Sequence, residues 1–246
     1  MTTFEICIDS ADAAVAAEQG GADRVELCYA LFDGGLTPSI GTVETAVNSV
    51  SRIRVHVIVR PRAGDFIYSP REVETMVRDV RAAVAAGAHG IVIGALTAEG
   101  DIDIETTRRL IEAAGDASIT FHRAFDMVRD PFGALEQLVE LGVHRVLTSG
   151  QESSVLEGAP LIAELVKRAG DRIVVMAGGG INERNIARIL DETGVGELHF
   201  TAMVSADSPA VHRNPAPLMG GVLHKSEFQR SNTSAELVGR MLSAAG

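Results

Sequence analysis

Lysine is almost missing from this chain. Lys167 and Lys225 are the only two among 246 residues. Neither falls in a strand-like segment, so covalent catalysis through a strand-borne Schiff base has no candidate nucleophile. Cysteine is as scarce. Cys7 and Cys28 make no disulfide framework and fit reduced thiols in the cytoplasm. Positive charge is in deficit, with a net charge of -11 and a pI near 5.1. That balance excludes the electrostatic footprint of a nucleic-acid or anionic-lipid binder. No apolar run approaches the length of a membrane span. The opening Met-Thr-Thr-Phe-Glu has neither the basic nor the apolar region of a secretory signal, so a cytoplasmic location is expected.

What the chain does have is apolar residues, 46 % of the total, enough for one sizeable core. One pattern recurs: an apolar-periodic helix, a Gly, two or three small or polar residues, then a β-branched run. It appears at 18–25, 85–91, 113–119, 140–146, 168–173 and 192–198, and each instance reads as a short αβ loop feeding a parallel strand. Ser69-Pro-Arg-Glu72 reads as a capping box, and Thr37-Pro38 and Asp130-Pro131 as cap-then-Pro helix starts. With strands at Phe4–Asp9 and Ile53–Arg60 the count reaches eight βα units, which predicts a TIM (β/α)8 barrel over 1–246 as a single domain. A doubly wound sheet is the rival fold. Residues 205–234, rich in Ser, Pro, Asn, His and Gly, read as a long, partly mobile loop before a last helix at Ala235–Leu242.

Strand alternation then sorts the side chains. The outer face of a barrel packs on helices and must be apolar, so the other face points inward. Val55, Val57 and Val59 go outward, which turns His56 and Arg60 in. The same reasoning turns Cys7, Glu26, Cys28, His122, His199 and Thr201 inward. Barrel interiors are usually branched aliphatic, so these polar groups must pair with each other or with a ligand.

Four groupings follow. The stretch Ser118–Asp126 places His122, Arg123 and Asp126 where a strand gives way to a loop, and Glu26, His56, His122 and Asp126 are candidate acids and bases. Arg60, Arg62 and Arg123 sit at strand ends and suit a carboxylate or phosphate. Gly178, Gly179 and Gly180 after the seventh strand, with Thr148, Ser149, His199 and Thr201, would complete an anion site on the same rim, as loops after strands seven and eight often do. Cys7 and Cys28, on adjacent strands with one parity, would suit Cu(I). Each grouping also has a plainer reading, as core network, tight turn or buried small hydrophobe.

Val25-Glu-Leu-Cys28, Asp33-Gly-Gly-Leu-Thr-Pro-Ser39, Arg60-Pro-Arg62 with Gly64-Asp-Phe66, Thr120–Asp126, Val146–Gln151 and Met176–Gly180 resemble the CutC family, in order, over about residues 4–203. The resemblance implies a TIM barrel, a cytoplasmic location and a role in copper homeostasis, with Cu(I) bound by cysteines where Cys7 and Cys28 fall. It departs at His199-Phe-Thr-Ala202, where a smaller, Ser-rich run is expected. The expected partners are thus a metal ion or a small anion, with further copies of the chain in a homo-oligomer also compatible. An enzyme of lyase, isomerase or hydrolase type acting on a small anionic or phosphorylated substrate is the alternative function.

Overall fold

The computed structural model describes residues 2–214, 216 and 228–246. Eight parallel strands close on themselves: β1 (Thr3–Ile8), β2 (Arg24–Leu27), β3 (Arg54–Ile58), β4 (Gly90–Ile93), β5 (Ser118–Phe121), β6 (Arg145–Thr148), β7 (Val174–Gly178) and β8 (Glu197–Phe200). Each pairs with the next, and β8 pairs with β1 through registers such as Glu5 with His199. The fold is therefore the TIM barrel expected from the unit count, and the doubly wound sheet is excluded by closure.

The outer helices are α1 (Ala11–Gln19), α2 (Ile40–Ser49), α3 (Pro70–Ala85), α4 (Ile104–Ala114), α5 (Pro131–Glu140), α6 (Val155–Ala169), α7 (Ile186–Thr193) and α8 (Ala235–Ala244). Ser69 and Glu72 form the reciprocal capping box at α3, and Asp130 caps α5 ahead of Pro131. Helix α2 is instead capped by Ser39. The expected cap, Thr37, is drawn to β3, where its hydroxyl donates to the Arg60 carbonyl and accepts the Arg60 N–H. Gly87 and Gly194, each just past a helix, have φ of 91° and 68°, the left-handed region a Cβ disfavours.

Outward residues Ile6, Ile8, Val25, Leu27, Val55, Val57, Val59, Leu198 and Phe200 all join the main core between barrel and helices. Inside the barrel, Cys7, Cys28, Ile58 and Val92 form a separate small apolar cluster. Below it lies an ionic layer. Arg24 pairs with Glu5 and Glu197, and Arg145 pairs with Glu197 and donates to Ser118 and Thr120. These charges are buried but mutually paired, which such positions require.

Residues 205–234 differ from the expected loop at both ends. Strand β9 (Met203–Asp207) pairs antiparallel with β10 (Gln229–Thr233). Gln-Arg-Ser-Asn-Thr is polar throughout and mostly exposed, so no alternation marks it as a strand. The centre of the segment, residues 217–227 with 215, lies outside the described residues.

Candidate functional site

A cavity of about 500 Å³ opens at the C-terminal mouth of the barrel. Its floor holds Cys7, Glu26 and His199. One wall carries Arg60, Phe66 and His122, and the rim carries Arg123, Asp126, Thr201 and the glycines 178–180. Cys7 and His122 therefore line one cavity, and Cys28 lies behind Cys7, bordering a separate pocket.

The floor is built by register. Glu26 is the partner of Cys7 across β1 and β2, and His199 reaches over from β8. Cys7 Sγ and Cys28 Sγ lie 3.6 Å apart, and Glu26 Oε2 is 3.4 and 3.3 Å from them. His199 Nδ1 contacts Glu5 Oε1 at 2.7 Å, and its Nε2 lies 3.7 Å from Glu26 Oε2. One ligand atom from each of Cys7, Glu26 and His199 falls within 4.8 Å of the others. Both cysteines are free and buried.

Charge in this floor is tightly arranged. The hydrogen bond with Cys28, outweighing burial and helped by His199, lowers the Cys7 thiol to about 5. Burial would lower His199, but Glu26, Cys7 and Glu5 together hold it well above the ordinary imidazole range. Burial first, then the charge of Cys7, pushes Glu26 up to about 8. Burial opposes ionisation of Glu5, yet its bond to His199 and the charge of Arg24 keep it low. These shifts favour charge on Cys7 and His199 and oppose it on Cys28 and Glu26.

His122 is 5 % exposed and caps the short 3-10 turn Arg123–Met127, its Nδ1 accepting the Ala124 N–H at 3.1 Å. That bond leaves the hydrogen on Nε2, which has no partner among the described residues. Burial, reinforced by Arg60, drops its pKa to about 3, so the ring is neutral.

Five expected site residues take other parts. His56 is inward, as its parity requires, but it lies at the opposite, N-terminal end with Arg24, Arg54 and Arg145. Arg62 turns away from the cavity to Asp65 and Glu72. Asp126 borders the cavity, yet its oxygens accept from Thr148 Oγ1, Ser149 N, Gln151 N and Arg123 Nε. These four donors engage both carboxylate oxygens, so Asp126 anchors the rim. Thr148 and Ser149 are fully buried supports of that carboxylate rather than cavity lining. Glu5, whose inward parity is legible but which carries no motif, is the functional-site residue that sequence reasoning passes over.

An eight-stranded parallel barrel with two thiols, a carboxyl and an imidazole grouped inside it defines a TIM-barrel protein. Residues 2–204 match the CutC family, and the chain belongs to that family. A copper homeostasis protein cutC homolog from Homo sapiens is 50 % identical over 235 residues, 96 % of this chain and 86 % of that one. A family protein CutC from Bacteroides thetaiotaomicron is 49 % identical over 96 % of this chain and 94 % of its own length. The crystal structure of a CutC protein from Streptococcus agalactiae superposes with a TM-score of 0.79 at 35 % identity, covering 82 % of this chain and 99 % of that one. Phosphoribosylanthranilate isomerase from Thermotoga maritima shares the fold alone, with a TM-score of 0.57 at 12 % identity, covering 100 % of this chain and 98 % of its own.

Proposed function

We propose that this chain acts in cytoplasmic copper homeostasis by taking one Cu(I) at Cys7 and Cys28. The observation that carries the reading is the 3.6 Å separation of two buried, free cysteine sulfurs, that of Cys7 at the cavity floor and that of Cys28 beside it. At that spacing both sulfurs reach one ion at about 2.3 Å, a normal metal–thiolate distance. Soft thiolates favour Cu(I) over harder divalent ions. His199 and Glu26 stand within reach as further ligands, and Glu5 orients the imidazole from behind as outer partners of ligating histidines do. The names of the relatives point the same way. X-ray absorption of protein loaded with Cu(I) tests it: sulfur must dominate the first coordination shell, and a shell of nitrogen and oxygen alone would remove the cysteines from the role.

A specific feature supports a second reading, an enzyme acting on a small anionic or phosphorylated substrate without a Schiff base. It is the charge on the cavity wall at Arg60, which makes no ion pair among the described residues.

A further inference from the structure

Three arginines of this chain are pulled into the barrel, and one of them is different. Arg24, 6 % exposed, contacts the carboxylates of Glu5 and Glu197. Arg145 contacts Glu197. Arg60 is buried to the same extent as Arg24, at 6 % exposure, but forms no ion pair among the described residues. Its Nη1 donates to the carbonyls of Asp33 and Gly35, and its Nη2 donates to that of Gly64. Its Nε has no partner among the described residues. Carbonyl dipoles hold the fork in place without cancelling its charge, and a buried charge is stable only when a counter-charge is near.

The surroundings repeat the message. The guanidinium lies 5.0 Å from the centroid of the Phe66 ring, and the same ring packs 5.1 Å from His122. His122 brings a second donor without an acceptor, its Nε2–H. Both residues line the 500 Å³ cavity, which is a normal size for a small-molecule site. Leu31, Ile58 and Phe200 give the cavity an apolar share of its lining, beside the carboxyl-bearing Asp33 and Glu26 and the floor residue Cys7.

We propose that the cavity binds a small organic anion, with its carboxylate or phosphate group on Arg60 and its apolar body lying along the wall toward the cysteine floor. The proposal rests on this cavity being the functional site and assigns the class of ligand it takes beside the thiols. Arg60 supplies the counter-charge and the fixed fork, and the neutral His122 adds a donor on the same wall. The apolar lining selects against a bare inorganic ion as the true occupant.

Calorimetric titration of the metal-free protein with inorganic phosphate and, separately, with succinate tests the assignment. At least one probe binds in the millimolar range, and the one that binds tells phosphate from carboxylate. Arg60→Gln weakens that binding by about tenfold or more, the usual loss for one charge-assisted pair. Cu(I) uptake, measured separately on the wild type, reads the copper site alone, so the failure of one reading does not resemble the failure of the other. Should Arg60→Gln not fold, the 15N resonances of the wild-type His122 ring decide the matter: they shift as the anion saturates. Binding of neither probe, binding unchanged in a folded Arg60→Gln, or a His122 ring that ignores a bound anion each overturns the proposal.

Discussion

His199 gives its Nδ1 to Glu5 at 2.7 Å, and that contact turns Nε2 toward Glu26 and the thiols. Glu5 is wholly buried and also pairs with Arg24. Its removal therefore leaves Arg24 with Glu197 alone and takes from His199 its nearest carboxylate. Glu5→Gln lowers stability by about 3–5 kcal/mol, the cost of breaking a buried pair. Urea denaturation measures it, and a loss well under about 1 kcal/mol would show that the ionic layer does not depend on this carboxylate.

His122 and His56 give the protein an acid limit. Burial, with Arg60 adding to it, holds His122 at about 3, and burial, only partly offset by Glu5, does the same for His56. In the unfolded chain both titrate near 6.5. Between those values the unfolded state binds protons that the folded state refuses, so stability falls as pH drops from about 6.5 toward 3. Each histidine contributes a slope of up to about 1.4 kcal/mol per pH unit. His122→Gln flattens the profile in that window by one histidine's share. Identical slopes in the two proteins would contradict the assignment.

Asp126 is an acceptor for four donors, among them Ser149 N at 3.1 Å and Arg123 Nε at 2.7 Å. Asp126→Asn places an NH2 against those donors and costs about 1–3 kcal/mol, chiefly for the buried Thr148 and Ser149 groups left unpaired. Calorimetric melting shows a lowered Tm with native secondary structure. A variant as stable as wild type would mean that the rim is held by something else.

Gly94 leaves room for the His122 ring. A Cβ there would lie 2.2 Å from Cε1 and 2.4 Å from Nδ1, whereas a Cβ on Gly41 in α2 meets nothing within 4 Å. Gly94→Ala thus destabilises by about 1–3 kcal/mol through overpacking, while Gly41→Ala stabilises by about 0.5–1 kcal/mol by removing backbone entropy from a helix. Opposite signs in parallel urea titrations are the expected result, and equal signs would argue against the packing of His122 on Gly94.

The sequence carried the barrel because each βα unit repeats the same local signals, and parity carried the inward set, Cys7, Glu26, Cys28, Arg60, His122 and His199. Parity says which face a side chain takes but not how deep it sits. His56 and His122 share a face, yet the stagger of the strands puts one at each end of the barrel. Thr148 and Asp126 show a second limit, since a hydroxyl and a carboxylate that look like site chemistry spend their hydrogen bonds on each other. Glu5 was legible as inward but not as a partner of His199, a contact 194 residues apart along the chain. Strands β9 and β10 left no trace because exposed polar pairing has no hydrophobic period.

The central claim is that Cys7 and Cys28 together hold Cu(I). Anaerobic competition with a chromogenic Cu(I) chelator tests it most directly, using wild type, each Cys→Ser variant and the double variant. The wild type withdraws one Cu(I) per chain, each single variant loses that competition, and the double variant leaves all the copper with the chelator. Stoichiometric Cu(I) retained by the double variant, or none taken by the wild type, would contradict the account.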